Sequence, residues 1–190
     1  MESFNYDIKD FKGRNRRLLH EWQRIEASFS KDNDVEILVE QRNSTGLPVA
    51  YRVIFNIHSL CGVKNISELD NPEIENPPLF DNYFEMSVII PENFPDVDSQ
   101  PIFRFEPVSS FGKDISTPWH PNIRYFGPMK GIVCLNRTDT FIDIAQCIRR
   151  VSEYLRYSLF HADLTPPFPE DLKVAKWVRE QAEPEGWIYF

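Results

Sequence analysis

Three cysteines hold the thiol chemistry open to this chain, and their surroundings differ. Cys147 sits where Ile144, Ile148, Val151 and Leu155 recur at helical spacing, so it reads as a packed core residue. Cys61 follows His58 in half of a metal-like spacing, but no partner pair follows and no metal is expected. Cys134 stands in Gly131-Ile132-Val133-Cys134-Leu135, within a stretch from Pro107 to Thr140 that has no sustained hydrophobic period. An aperiodic stretch of that length inside a compact domain is usually functional or mis-assigned. The same stretch carries His120-Pro121-Asn122. A thiolate is a strong nucleophile and a good leaving group, so a cysteine can take an acyl group from another thioester and pass it to an amine. Such a site must also supply positioning and a hydrogen-bond donor where the tetrahedral oxyanion develops. An Asn carboxamide on a rigid Pro-containing turn suits that task. The competing readings are a buried small hydrophobe for Cys134 and plain turn chemistry for Asn122.

Regular elements must position these residues. Leu18, Trp22, Ile25 and Phe29 line one face of a helix over Arg16 to Phe29. Val35, Ile37 and Val39 alternate as a strand, and Val49, Tyr51, Val53, Phe55 and Ile57 keep strict period two. Phe84, Met86, Val88 and Ile90 repeat the pattern up to Pro91, and a shorter strand spans Ile102 to Glu106. Four such strands predict an antiparallel meander. After the long loop, a helix is expected from Phe141, capped by Thr140 or Asp139, with Ala145 and Leu159 widening its stripe. A last helix is expected over Glu170 to Gln181, facing inward with Leu172, Ala175 and Val178. The order of elements predicts an α+β domain with helices covering a single antiparallel sheet.

Composition narrows the function. The 190 residues make one domain with no repeat or flexible linker, and 42% hydrophobic residues exclude a disordered chain. A net charge of −8 argues against a nucleic-acid coat, which depends on excess Lys and Arg. No apolar run reaches the roughly 18 residues of a membrane span. The charged start, Met1 to Lys12, has no signal-peptide core. Three cysteines are too few and odd for a disulfide scaffold, which points to a reducing, cytoplasmic setting.

The helix, the four strands, Phe94-Pro95 before Pro101, His120-Pro121-Asn122, the Gly-x-x-Cys-Leu segment ending at Leu135 and the two closing helices together resemble a ubiquitin-conjugating enzyme. The resemblance covers about Arg16 to Gln181 and implies that fold, with an N-terminal helix, a four-stranded meander, a long active-site loop and two C-terminal helices. It implies that Cys134 bears a ubiquitin-like modifier as a thioester and that Asn122 is the oxyanion donor or organises the loop. His120 and Pro121 are then supporting residues. Asp163 falls near the active-site gate, where a carboxylate would help deprotonate an incoming lysine; a solvated loop acid is the alternative. Arg16, Arg17 and Arg24 on the first helix become candidates for docking an ATP-dependent activating enzyme, the alternative being a wet helix face. The partners implied are that enzyme, the modifier and a protein target, with no cofactor on this subunit.

Two features depart from the eukaryotic pattern. Eleven residues, Ile123 to Val133, separate Asn122 from Cys134, a longer spacing than usual, and Gly127-Pro128 and Gly131 predict a bulged loop that returns Cys134 beside Asn122. An acidic insert, Ser59 to Tyr83, holds Glu68, Asp70, Glu73, Glu75 and Asp81 against Lys64. With the Pro-Pro-Phe-Pro-Glu-Asp run before the last helix, these features are more similar to bacterial ubiquitin-conjugating-like enzymes, often found in phage-defence operons. Two other function classes compete: a non-catalytic scaffold of the same fold that binds the modifier, and a cysteine hydrolase pairing Cys134 with His120 or His161.

Overall fold

The computed structural model describes residues 9, 11–71, 73–96, 98–135 and 143–189. Helix α1, Gly13–Phe29, buries Leu18, Leu19, Trp22, Ile25 and Phe29, the stripe its spacing predicts. Strands β1 (Val35–Arg42), β2 (Pro48–Phe55), β3 (Ser59–Val63), β4 (Pro78–Asp81), β5 (Phe84–Ile89) and β6 (Ile102–Phe105) follow. The helices after the long loop are α2, Ile144–Leu155, and α3, Leu172–Trp177, which runs on into a π-helical turn at Val178–Ala182. Among the described residues, no helix is long and apolar enough to cross a membrane.

Four strands form an antiparallel sheet in the order β1-β2-β5-β6. Its inner face supplies Val53, Phe55, Phe84, Met86, Val88, Phe103 and Phe105 to one core shared with α1 and α2. These residues recur at every second position, as one face of a strand requires, while Ile54, Glu85 and Ser87 between them are buried on the other face. The acidic insert departs from the expected single sheet, because β3 and β4 pair within it as a separate two-stranded sheet. Leu60 and Val63 of that hairpin join Trp119, Tyr157, Val174, Trp177, Val178 and Ile188 in a second apolar cluster.

The helix boundaries correct several expectations. Asp143 caps α2 by accepting from the Gln146 N–H at 2.8 Å. Asp139, Thr140 and Phe141 lie outside the described residues. The α2 stripe stops at Leu155, because Tyr157 adopts a positive φ of 51° and drives its ring inward, leaving Leu159 exposed beyond the helix. Cys147 is buried, as expected, and burial pushes its thiol up to about 12. In α3 the face is rotated: Leu172 is 46% exposed, while Val174, Ala175, Trp177 and Val178 are buried. Asp171 sets that phase by turning its carboxylate inward, and positions 174, 175 and 178 then follow it onto the same helical face.

Basic residues of α1 fasten it to α2. Arg17 pairs with the buried Glu21 at 2.7 Å, and Glu21 accepts from the Ile144 N–H at 2.8 Å. Arg24 pairs with Asp143 at 2.5 Å. Desolvation raises the Glu21 pKa above its ordinary value, with the Ile144 hydrogen bond and Arg17 opposing the shift.

Candidate active site

The residues around Cys134 are placed by a short antiparallel ladder that extends the sheet beyond β6. Phe105 N–H donates to Gly131 O at 2.8 Å and Val133 N–H donates to Phe103 O at 3.1 Å. These bonds bracket the Arg104–Ile132 bridge. A second arm then pairs back: Ile123 bridges Val133, Arg124 N–H donates to Ile132 O at 2.8 Å, and Cys134 N–H donates to Asn122 O at 2.8 Å. The register sets Asn122 directly across from Cys134, and facing residues of an antiparallel pair share a face. Val133 and Ile123, one position along each arm, point the other way into the core. The long Asn–Cys spacing is therefore a closed hairpin, with turns at Gly127 (φ +77°) and before Gly131 (φ +91°).

Gly131 is required by the close approach to β6. A Cβ built there would lie 2.2 Å from the Phe105 carbonyl oxygen, well inside contact distance, on a backbone that L side chains rarely adopt.

Asn122 is buried, and its Oδ1 accepts from the His161 N–H at 2.8 Å. With the oxygen held, the NH2 end of the carboxamide is the group left to donate elsewhere. Asn122 N–H donates to His120 Nδ1 at 3.1 Å, so the ring proton sits on Nε2, which donates to Leu159 O at 3.2 Å. The His120 ring stacks on Tyr154 at 4.8 Å, and the Tyr154 hydroxyl donates to Cys134 O at 3.2 Å. Burial pushes the His120 pKa down to about 3 despite the hydrogen bond to Leu159. His120 is thus a neutral ring with both nitrogens engaged. Taking a proton from a thiol would cost it the bond from Asn122, which weighs against His120 as the partner in a hydrolase pairing.

Asp171, which the sequence reading did not single out, joins the whole region. Its carboxylate accepts from Tyr125 N–H at 2.9 Å and Phe126 N–H at 3.2 Å on the hairpin, and from Lys173 N–H at 3.1 Å at the start of α3. Its own N–H donates to Pro121 O at 2.9 Å. Tyr157 adds a bond from its hydroxyl to Trp119 O at 2.6 Å. The signal for Asp171 was present as a helix cap after a Pro-rich run. Its contacts with residues some 45 positions away carry no such signal.

Cys134 is partly exposed, unlike the buried Cys147. None of the three cysteines is in a disulfide. Asp163 is exposed and engaged, with Arg179 at 2.9 Å and His161 Nε2 at 3.2 Å. On α1, Arg16 is exposed, whereas Arg17 and Arg24 serve the ion pairs to Glu21 and Asp143. The structure thus brings His120, Pro121, Asn122 and Cys134 together and sets the three arginines apart on the first helix.

No protein family's sequence profile matches the chain. No curated protein matches it either. Among solved structures, the chain is similar to a crystal structure of a "putative ubiquitin conjugating enzyme from Plasmodium yoelii", with 17% identity and a TM-score of 0.47 over 92% of this chain and 90% of that one.

Proposed function

We propose that the protein is a ubiquitin-like-protein conjugating enzyme in which Cys134 carries the modifier as a thioester. The Cys134 thiolate attacks the thioester carbonyl presented by an ATP-dependent activating enzyme. A new C–S bond forms as the old one breaks, and the activating enzyme's thiolate leaves. An uncharged amine of a target then attacks the Cys134 thioester, an amide forms, the thiolate departs, and the amine's surplus proton passes to solvent. ATP is consumed upstream, so this subunit uses no cofactor of its own.

The observation that carries the reading is the main-chain bond from Cys134 to Asn122 in a register that sets the two side chains on one face. Asn122 is assigned as donor to the oxyanion, its carboxamide oriented by the His161 N–H. His120 and Pro121 hold the turn. Arg16, Arg17 and Arg24 are the candidates for docking an activating enzyme; Arg17 and Arg24 also pair with the buried carboxylates of Glu21 and Asp143. The sequence features shared with bacterial conjugating-like enzymes support a cytoplasmic bacterial pathway, of the kind found in phage defence.

The test is direct. With its activating enzyme, modifier and ATP, the wild-type protein gains a covalent adduct that a thiol reductant removes. Cys134→Ala loses the adduct, while Cys61→Ala and Cys147→Ala keep it. An adduct that survives in Cys134→Ala contradicts the reading. Binding of the modifier with no adduct in any variant favours a non-catalytic scaffold.

A further inference from the structure

We infer that Arg179 is a positioning residue for acyl transfer, acting through the strap of chain that holds the Asn122 carboxamide; the inference rests on the reading above. Residues 159–163, between α2 and α3, are suspended from side chains on both sides. From the loop, His120 Nε2 donates to Leu159 O and Asn122 Oδ1 accepts from His161 N–H. From the turn after α3, Arg179 Nε donates to Ala162 O at 3.4 Å and Nη2 donates to Asp163 Oδ1 at 2.9 Å. The other terminal nitrogen of Arg179 pairs with Glu183 at 3.1 Å, which fixes the guanidinium plane. His161 Nε2 closes the ring onto Asp163 at 3.2 Å.

The consequence follows from connectivity. The amide that holds Asn122 Oδ1 belongs to His161, one residue before the carbonyl and two before the carboxylate gripped by Arg179. A planar guanidinium that contacts both Ala162 O and Asp163 Oδ1 restricts both rotation and translation of that short segment. The anchoring N–H is thereby kept in place, and with it the direction of the Asn122 NH2. Asp163 then serves the clamp. It is not assigned as the base that deprotonates an amine.

Amide hydrogen exchange and single-turnover discharge test this together. In Arg179→Ala, exchange at the His161 N–H should rise about 1.4-fold to fivefold, the range expected on losing an exposed ion pair. Exchange in β2 and the melting temperature should hold. Asp163→Asn should raise His161 exchange similarly, and Arg179→Lys, which keeps the charge without the planar fork, should restore only part of the protection. Discharge of the charged protein to an amine should slow in Arg179→Ala by at most that factor, and Asn122→Ala/Arg179→Ala should be no slower than Asn122→Ala alone. Unchanged His161 exchange in Arg179→Ala, or slowing that multiplies in the double variant, overturns the inference. So does a Asp163→Asn variant that discharges slowly with His161 exchange intact, since that is the behaviour of a base. If the wild type never charges, the proposed function fails, while the exchange readout still decides whether the clamp exists.

Discussion

The four-stranded sheet and the loop hairpin that extends it are held by different means. In β1, β2, β5 and β6 the backbone groups satisfy one another along ladders, and apolar side chains such as Val53, Phe84 and Met86 fill the space beneath. Stability there scales with apolar area removed from water. Around Cys134 the ladder arms are only a few residues long, and the surrounding chain is irregular. Buried polar side chains take over: His120, Asn122 and Asp171 each bond to main-chain groups of a different segment. Each of these side chains thereby fixes a stretch of irregular backbone that no regular ladder holds. The lesson is that the sheet depends on the apolar volume its side chains fill, whereas the loop depends on individual polar atoms.

That difference can be broken apart by mutation. Phe84→Ala should lower stability by about 3–5 kcal/mol, the usual cost of truncating a buried aromatic. Because the defect lies in the apolar core, the hairpin amides of Tyr125 and Phe126 should keep the chemical shifts and relative protection they have in the wild type. Asp171→Ala should cost less, about 1–3 kcal/mol, the penalty for partly buried donors left without their partner and a lost cap. Yet it should abolish protection at Tyr125 and Phe126 and shift the Asn122 resonances. Denaturant melts combined with residue-resolved exchange check both. If Phe84→Ala disturbs the hairpin more than Asp171→Ala does, the contrast is wrong.

A smaller effect concerns pH. The folded state holds His120 at about 3, below its ordinary value of 6.5, so the unfolded chain binds this proton more readily. Stability contributed by the neutral ring is therefore complete above about pH 6.5 and is lost as the pH falls toward 3, at up to about 1.4 kcal/mol per pH unit. Glu21 has the opposite sign, since its raised pKa favours the folded state in acid. The comparison must be made between the wild type and His120→Gln, which leaves Glu21 in place. The difference in unfolding free energy between them should slope between pH 6.5 and 4 and be flat above 7; a flat difference throughout would remove the buried neutral ring.

Much of this architecture was legible in the sequence, and the reason is periodicity. α1 announced its buried face through Leu18, Trp22, Ile25 and Phe29, and β2 and β5 through alternation. The hairpin β3–β4 was missed because its strands are five and four residues long, too short for a period to emerge among acidic neighbours. The rotation of α3 was missed because Leu172 fits an apolar stripe equally well, and only the long-range bonds of Asp171 choose the phase. The residues proposed for chemistry were legible as types in a motif. Their relative placement depends on a register closed through β6 and Gly131, which spacing alone does not encode.

The most direct measurement of the Cys134–Asn122 assignment is single-turnover kinetics on protein whose other two thiols are removed, Cys61→Ala/Cys147→Ala, with and without Asn122→Ala. Both forms should charge at the same rate on Cys134, as seen by intact mass. Asn122→Ala should then discharge to a saturating amine about 100-fold to 1,000-fold more slowly, the cost of one lost oxyanion donor. Equal discharge rates, or charging on protein that lacks Cys134, would contradict the assignment.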